Sequence, residues 1–234
     1  MIKNKKALTF LCSIFVIVEI FLSHYVQITS TDIANPAKFF AIALACAFCV
    51  LSIEKSNVYL FTQLALVATV GADYFLVYIP ERHQLYGMLC FAVAQILYFL
   101  RIYFEDTCQK RKKLNLILRI ATLIIAPVCT IAFLGEKADM LAIVSVFYYL
   151  NICLNLVFAS IQSNINPLLV IGFICFIICD TFIGLANVGP YLQIPEGSFI
   201  HTIMNPGFDP SWAFYIPSQT LLAISILPNR FKKQ

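Results

Sequence analysis

The chain has 234 residues, of which 61% are hydrophobic and 12% are charged. A soluble globular domain has about 45–50% apolar and about 25% charged residues, so this composition excludes a soluble protein. The formal net charge is +4, and the basic residues fall mostly between apolar runs, so the charge indicates membrane topology. We expect no nucleic-acid partner.

Apolar segments follow one another along the chain, and each approaches the roughly 20 residues that cross a bilayer as a helix. The first, residues 1–23, begins with basic residues like a signal peptide but has no small-residue cleavage site, which predicts an uncleaved helix. The further segments cover residues 37–53, 57–79, 85–104, 114–134, 139–160, 165–188 and 211–227. The sequence therefore predicts an all-α fold: a single transmembrane domain over residues 1–234, a polytopic bundle of about eight helices.

The connection over residues 189–210 is longer than the others and carries Pro190, Pro195, Pro206 and Pro210. Proline lacks a backbone donor and has a fixed φ, so it interrupts helices. We interpret this connection as an ordered or re-entrant loop. The other connections are short, which predicts antiparallel neighbouring helices.

Basic residues fall mainly on one side of the predicted bundle, as the positive-inside rule expects of cytoplasmic loops. With the N-terminus inside, the cytoplasmic segments hold Lys3, Lys5, Lys6, Lys55, Arg101, Lys110, Arg111, Lys112, Lys113, Arg230, Lys232 and Lys233. The opposite loops hold only Arg82 and Lys137, while Lys38 and Arg119 fall near helix ends. This bias requires an even number of helices, so both termini are predicted to be cytoplasmic. We expect a multi-pass protein of a bacterial plasma membrane.

The cysteines and histidines do not follow a metal-binding pattern. Cys46 and Cys49 have the CxxC spacing, but within the apolar run AIALACAFCV we interpret them as small packing side chains. His24, His83 and His201 are dispersed, and we predict that they lie in outer loops at the surface. We therefore expect neither a metal site nor an organic cofactor.

Two segments that otherwise read as membrane-spanning each contain an aspartate. Asp73 lies in VATVGADYFLVYI, residues 67–79, and Asp180 lies in FICFIICDTFIGLA, residues 173–186. An ionisable residue in a spanning helix costs roughly 2.5–3.5 kcal/mol on insertion scales and normally marks a site or a proton path. Counted from the outer helix ends at 1.5 Å per residue, the two carboxylates are predicted at similar depths of about 9 and about 12 Å.

Further polar residues are predicted in the same outer half of the bilayer. They are Gln95 and Tyr98 on the fourth helix, Tyr148 and Asn151 on the sixth, and Tyr215 and Gln219 on the eighth, with Glu19 and Lys38 near that level. Taken singly, Gln95, Asn151 and Asn155 are explained by interhelical hydrogen bonds, worth about 0.6 kcal/mol each. Glu19 and Lys38 are equally explained as a structural pair.

Two carboxyl groups that share one buried site commonly hold one proton between them at neutral pH. One is then a general acid beside a general base. The same arrangement suits proton-coupled transport or cation binding equally well. The residues alone leave these alternatives open.

These residues resemble those of the YhhN, or lysoplasmalogenase-like, membrane proteins, in which an acidic residue follows a glycine in the third of eight helices and a Ser-Asp pair lies in the seventh. The matching positions are Gly71-Ala72-Asp73, Cys179-Asp180, Lys38 in NPAKFFAIAL, Gln95 and Tyr98 in FAVAQILYFLRI, and Tyr215 and Gln219 in FYIPSQTLLAIS. The chain departs from this pattern in having the additional Ala72, Cys179 in place of serine and Gln95 where histidine is common.

The resemblance implies hydrolysis of the vinyl ether bond of lysoplasmalogens, which gives a fatty aldehyde and a glycerophospho-base. Protonation of the alkene gives an oxocarbenium ion that water captures, so the resemblance implies Asp73 and Asp180 as the acid and base without assigning which is which. Tyr98, Asn151 and Tyr215 are expected at the substrate, and Gln95, Tyr148 and Gln219 are expected to orient water or substrate. Lys38 is expected to meet the lipid phosphate. The expected partners are a lysophospholipid substrate and membrane lipids.

Two rival functions remain open at this stage. One is a small proton-coupled transporter or ion-binding protein, against which the lack of a detectable inverted repeat counts. The other is a structural or assembly protein in which both aspartates pair with Lys38 or with tyrosines. The transporter predicts uptake in proteoliposomes that depends on a pH gradient. The structural protein predicts that Asp73→Asn and Asp180→Asn fail to fold or to insert stably.

Overall fold

A computed structural model describes residues 5–29, 31–52, 57–79, 83–189, 191 and 208–227. Over these ranges the chain forms eight long α-helices and no strand. They are α1 Lys5–Ile28, α2 Thr31–Leu51, α3 Asn57–Asp73, α4 Gln84–Glu105, α5 Gln109–Leu134, α6 Met140–Ser160, α7 Pro167–Asn187 and α8 Pro210–Ile224. The first seven are long and apolar enough to cross a membrane, which confirms the predicted all-α, multi-pass bundle.

Helix α8 is the shortest of these, with 15 residues, or about 22 Å at 1.5 Å per residue. Its contacts nevertheless extend over the depth of the bundle. Near its start, the backbone of Asp209 exchanges two hydrogen bonds with the side chain of Gln27, at the end of α1. Beyond its end, the carbonyls of Ser225 and Leu227 accept hydrogen bonds from Asn166, which precedes α7.

These contacts place the start of α1 and the end of α8 at the same end of the bundle. That arrangement is the one that an even number of crossings requires. The cytoplasmic location of this end stays a prediction from the distribution of basic residues.

Three predicted positions are corrected by the helix boundaries. Helix α5 begins at Gln109, so the basic residues that follow form its first turns and Arg119 lies well inside the helix instead of near its end. Lys38 lies two turns inside α2, which starts at Thr31 and includes Pro36. His24 belongs to α1 and is exposed there, whereas a loop was predicted.

The long proline-containing connection falls largely outside the described residues. Pro190, Pro195, Pro206 and His201 lie in that part, so the prediction of an ordered or re-entrant loop remains a prediction. Pro210 occupies the first turn of α8, where its missing N–H would have no helical partner.

Helix α3 changes its hydrogen-bonding pattern immediately after Asp73. Residues Tyr74–Tyr78 form a π-helical turn, in which the N–H of Ile79 donates to the carbonyl of Tyr74 at 3.2 Å. Such turns are rare and occur often at functional sites. The change of pitch therefore coincides with one of the two aspartates of interest.

The helices that carry the site approach one another closely. A Cβ atom on Gly172 of α7 would lie 2.9 Å from a methyl carbon of Leu222 and 3.3 Å from its backbone nitrogen on α8. Small residues allow such close backbone packing between membrane helices. Cys49 is fully buried in a neighbouring apolar cluster with Phe15, which agrees with its interpretation as a packing residue.

Candidate active site

Each of the two membrane aspartates accepts a hydrogen bond from a tyrosine on another helix. Asp73 at the end of α3 is 2% exposed, and its Oδ2 accepts a hydrogen bond of 2.8 Å from the hydroxyl of Tyr215 on α8. Asp180 on α7 is partly exposed and accepts a hydrogen bond from the hydroxyl of Tyr148 on α6. Four helices therefore contribute to two aspartate–tyrosine pairs.

The two pairs lie against the same two phenylalanine rings. The ring centroid of Phe91 on α4 is 5.6 Å from that of Tyr148 and 6.2 Å from that of Tyr215. The ring of Phe176 on α7 lies 6.4 Å from Tyr148 and 5.6 Å from Tyr215. The tyrosines that bind the two carboxylates therefore share one aromatic floor, formed by Phe91 and Phe176.

We call the two aspartates and the two tyrosines the aspartate layer. The side chain of Cys179, beside Asp180 in sequence, is fully buried. The fold thus brings together the two carboxylates that the sequence places 107 residues apart. It also brings Tyr148 and Tyr215 to them.

Lys38 lies beside this layer, towards the start of α8, and connects to it through an aromatic ring. It is 4% exposed, and its Nζ is 3.8 Å from Oδ2 of Asp209 and 5.0 Å from the centroid of the Trp212 ring. The Trp212 ring packs edge-on against Tyr215 at 5.2 Å. The alternative pair of Lys38 with Glu19 is wrong, because neither carboxylate oxygen of Glu19 has a hydrogen-bond partner among the described residues.

A second group of buried polar side chains lies deeper, between α4, α5 and α6. Arg119 donates to the side-chain oxygens of Asn115 at 3.2 Å, Asn151 at 2.7 Å and Asn155 at 2.6 Å. Asn155 in turn donates to the side-chain oxygen of Gln95 at 2.9 Å. We call these five side chains the arginine network, and they show that Asn151 belongs to it and not to the aspartate layer.

Gln95 and Gln219 lie at one level on parallel helices. The contacts Phe91–Tyr215 and Arg101–Ser225 join α4 to α8 with the same sequence offset, and that offset also relates Gln95 to Gln219. Within the described part of the chain, Nε2 of Gln95 and Oε1 of Gln219 have no hydrogen-bond partner. One is a donor and the other an acceptor, so each keeps hydrogen-bonding capacity for a polar molecule.

Tyr98 lies about one turn further from the aspartate layer than Gln95. Its ring packs edge-on against Phe173 at 5.3 Å, and its hydroxyl has no hydrogen-bond partner within the ranges that the structure describes. The structure therefore separates Tyr98 from the aspartates.

Several residues of this region were missed from the sequence. Asp209 caps α8 by accepting a hydrogen bond from the N–H of Trp212, and its position before a proline is a helix-start signal that could have been recognised. Arg119 could have been found by the argument applied to the aspartates, because it is a charge within an apolar run. Phe91 and Phe176 carry no sequence signal that separates them from other core residues.

Comparison with known proteins places the chain in a family. The profile of the YhhN family matches residues 34–226, which covers most of the chain. The chain belongs to the YhhN family. No curated protein and no solved structure matches it.

The YhhN match starts within α2 and extends just past α8, so it includes the aspartate layer, Lys38 and both glutamines. It confirms the resemblance inferred from the motifs around Asp73 and Asp180. The match does not include α1, which ends before it begins.

Proposed function

We propose that this YhhN protein is a membrane-embedded hydrolase that cleaves the vinyl ether bond of lysoplasmalogens. The observation that carries the proposal is the aspartate layer: two carboxyl groups on different helices, each bound by a tyrosine hydroxyl, over one aromatic floor. The products are a fatty aldehyde and a glycerophospho-base. The substrate enters from the bilayer.

The two aspartates have different surroundings, which suits an acid and a base. The protonated carboxyl donates its proton to the alkene carbon remote from the ether oxygen, and the alkene electron pair forms the new C–H bond. The resulting oxocarbenium ion is stabilised by the ionised carboxylate. Water adds to the cationic carbon and gives its proton to that carboxylate, and the hemiacetal then breaks down to aldehyde and alcohol.

The surrounding side chains have distinct roles in this proposal. The hydroxyls of Tyr148 and Tyr215 orient the carboxylates, and the rings of Phe91 and Phe176 pack against the alkenyl chain. Lys38 supplies a positive charge for the lipid phosphate at the outer edge. The unpartnered amide atoms of Gln95 and Gln219 hold water beneath the reacting carbon.

The direct test uses purified protein in detergent with an ethanolamine lysoplasmalogen, and it measures aldehyde release. Asp73→Asn and Asp180→Asn are each expected to lower the rate by at least about 100-fold, because general acid–base catalysis contributes about 10²–10⁴. Glu136→Gln, which removes an exposed carboxylate outside the bundle core, is the matched control. Full activity in both aspartate variants would contradict the assignment.

A proton-coupled transporter or ion-binding protein is the second candidate. It is favoured by the polar atoms of Gln95, Gln219 and Tyr98, which continue from the aspartate layer towards the opposite end of the bundle. It predicts that proteoliposomes take up a solute or protons in response to a pH gradient. Aldehyde release without any gradient-dependent flux would reject it.

A further inference from the structure

A cavity of about 480 Å³ lies between α1 and α8, on a different face of α8 from Tyr215 and Gln219. This volume is within the range of about 300–1,000 Å³ that is usual for ligand sites. Glu19, Ser23 and Gln27 line it at four-residue spacing on α1. Ile216 and Thr220 face them from α8, so one polar stripe is opposed by a largely apolar wall.

Glu19 is the unusual member of this lining. Its side chain is 2% exposed, and neither of its carboxylate oxygens has a hydrogen-bond partner among the residues described by the structure. A buried carboxylate is costly unless its charge is matched and its oxygens accept hydrogen bonds. Glu19 is therefore placed to bind a group that donates hydrogen bonds and carries positive charge.

The position of the cavity indicates that its ligand is an amphiphile. Ile17 and Phe21, on the same helix as Glu19, are 65% and 66% exposed on a surface that faces lipid. The side chain of Gln27 holds the backbone of Asp209 by hydrogen bonds of 2.9 and 3.0 Å at the outer end of the cavity. Glu19 lies eight residues before Gln27 on α1, about 12 Å deeper at 1.5 Å per residue.

The lining also restricts the polar group of the ligand. His24 is its one basic side chain, at an exposed position, and the lining as described contains neither lysine nor arginine. A phosphate would therefore lie beside a carboxylate without a fixed positive charge to balance it. An amine attached directly to an apolar chain avoids this repulsion.

We propose that the α1–α8 cavity binds a single-chain amphiphile whose polar group is a primary amine, held by Glu19 as an ammonium–carboxylate pair. The ammonium N–H groups donate to both carboxylate oxygens, and the chain lies along Ile216 and its apolar neighbours. This site is independent of the proposed hydrolase activity, because it includes neither aspartate and Glu19 precedes the residues of the YhhN match.

The test is photolabelling of the full-length protein in lipid nanodiscs. The probes are dodecylamine and dodecanol that carry the same diazirine in the alkyl chain, and labelled peptides are identified by mass spectrometry. Dodecylamine is expected to label peptides of α1 and α8, and unlabelled dodecylamine is expected to compete while dodecyl phosphate is not. Glu19→Gln is expected to lower the amine labelling about tenfold, a loss of about 1.4 kcal/mol, and to leave the alcohol labelling unchanged.

Two further variants keep the test decisive. Glu136→Gln makes the same chemical change at an exposed position and is expected to have no effect. Ile20→Trp enlarges a lipid-exposed side chain of the lining and is expected to reduce labelling by both probes, even if Glu19→Gln folds poorly. Equal labelling by amine and alcohol in the unmodified chain, or full amine labelling in a folded Glu19→Gln variant, would overturn the proposal.

Discussion

The aspartate layer and the arginine network lie one helical turn apart on α6, yet their buried polar groups have different surroundings. Tyr148 of the first is followed three residues later by Asn151 of the second. Arg119 donates to three asparagine side chains and to the carbonyl of Asn151, and its guanidinium lies 5.0 Å from the Phe99 ring centroid. Within the described residues, each aspartate has only one side-chain donor, a tyrosine hydroxyl.

This difference distinguishes buried polar groups that stabilise the fold from buried polar groups that are able to react. A buried group whose hydrogen bonds are all made stabilises one packing arrangement and has little capacity left for a substrate. A carboxylate has room for about four hydrogen bonds, so one bond from a tyrosine leaves sites for a proton, water or substrate. The comparison therefore assigns stability to Arg119 and its three asparagines, and reactivity to the aspartate layer. Gln95, whose Nε2 has no partner within the described residues, keeps hydrogen-bonding capacity for water.

The largest expected effect on folding comes from Arg119→Leu. The substitution leaves the side-chain oxygens of Asn115, Asn151 and Asn155 without their donor in a buried site. Each unsatisfied buried group costs about 1–3 kcal/mol, so we expect a loss of at least about 3 kcal/mol. The thermal midpoint is measured in detergent from the fraction of protein that stays monodisperse after heating.

Arg119→Lys sharpens this prediction because it keeps the charge but loses the planar fork that reaches several acceptors. The thermal midpoint of Arg119→Lys is expected to lie between those of the native chain and of Arg119→Leu. If Arg119→Leu kept the thermal midpoint and lost aldehyde release, the arginine network would belong to the reactive site and the comparison would fail.

Tyr148→Phe and Tyr215→Phe are expected to show the opposite result, a large loss of activity with a small change in stability. Both keep the ring contacts with Phe91 and Phe176 and remove only the hydroxyl that donates to an aspartate. We expect activity to fall by about 10–100-fold, as for the loss of a hydrogen bond to a charged group, and stability to change by about 1 kcal/mol. Rates of aldehyde release and thermal midpoints are measured on the same preparations.

The matched control for these variants is the neighbouring Tyr149→Phe. Its hydroxyl lies 2.9 Å from that of Thr181 at an exposed position, so the same change is made one residue away. Retained activity is expected there. Equal losses in all three variants would show that the aspartate–tyrosine bonds have no special role.

The helices could be predicted from the sequence, and the two aspartates could be recognised as unusual, because both inferences depend only on local composition. Apolar runs of the right length cross a bilayer, and a carboxylate inside such a run is conspicuous. Tyr148 and Tyr215 were also recognised, but their assignment to Asp180 and Asp73 depends on how α6, α7 and α8 pack. That packing depends on contacts such as Gly172 against Leu222, which no periodicity reveals.

One error has an identifiable physical cause. The charges from Lys110 to Lys113 were interpreted as a loop, although a helix can extend beyond the apolar layer, and the late start assigned to α5 moved Arg119 to a helix end. The additional Ala72 departs from the family pattern around Asp73. A π turn holds more residues than an α turn, so the one at Tyr74–Tyr78 can absorb an extra residue without displacing the rest of the segment.

Gln219→Leu tests whether unpartnered groups beneath the aspartate layer serve the reaction. Oε1 of Gln219 has no partner within the described ranges, and Nε2 donates to the hydroxyl of Ser218 at 3.1 Å. Replacing the side chain with one of similar volume therefore removes one neutral hydrogen bond, worth about 1 kcal/mol. We expect the thermal midpoint to fall by the equivalent of no more than about 1 kcal/mol. Aldehyde release is expected to fall about fivefold to tenfold, the loss of one water-positioning hydrogen bond. Gln63→Leu is the control, because the side chain of Gln63 donates to the carbonyl of Cys49. This variant is expected to lose stability and to keep activity.

The smallest expected effect concerns an ion pair at the junction of α4 and α5. Arg111 donates to both carboxylate oxygens of Asp106, at 2.5 and 2.6 Å, and these bonds hold the pKa of Asp106 below its usual value. A carboxyl whose pKa is lower in the folded state stabilises the fold above its unfolded pKa of about 3.9. That contribution is lost as the pH falls through the folded pKa.

Asp106→Asn is therefore expected to lower the thermal midpoint at pH 7, by the equivalent of about 1 kcal/mol. The difference from the native chain is expected to shrink as the pH falls below about 4. The measurement is the thermal midpoint from pH 7 to pH 3, with Glu136→Gln as the exposed control. A difference in thermal midpoint between Asp106→Asn and the native chain that stays constant to pH 3 would show that Asp106 acts through packing and not through its charge.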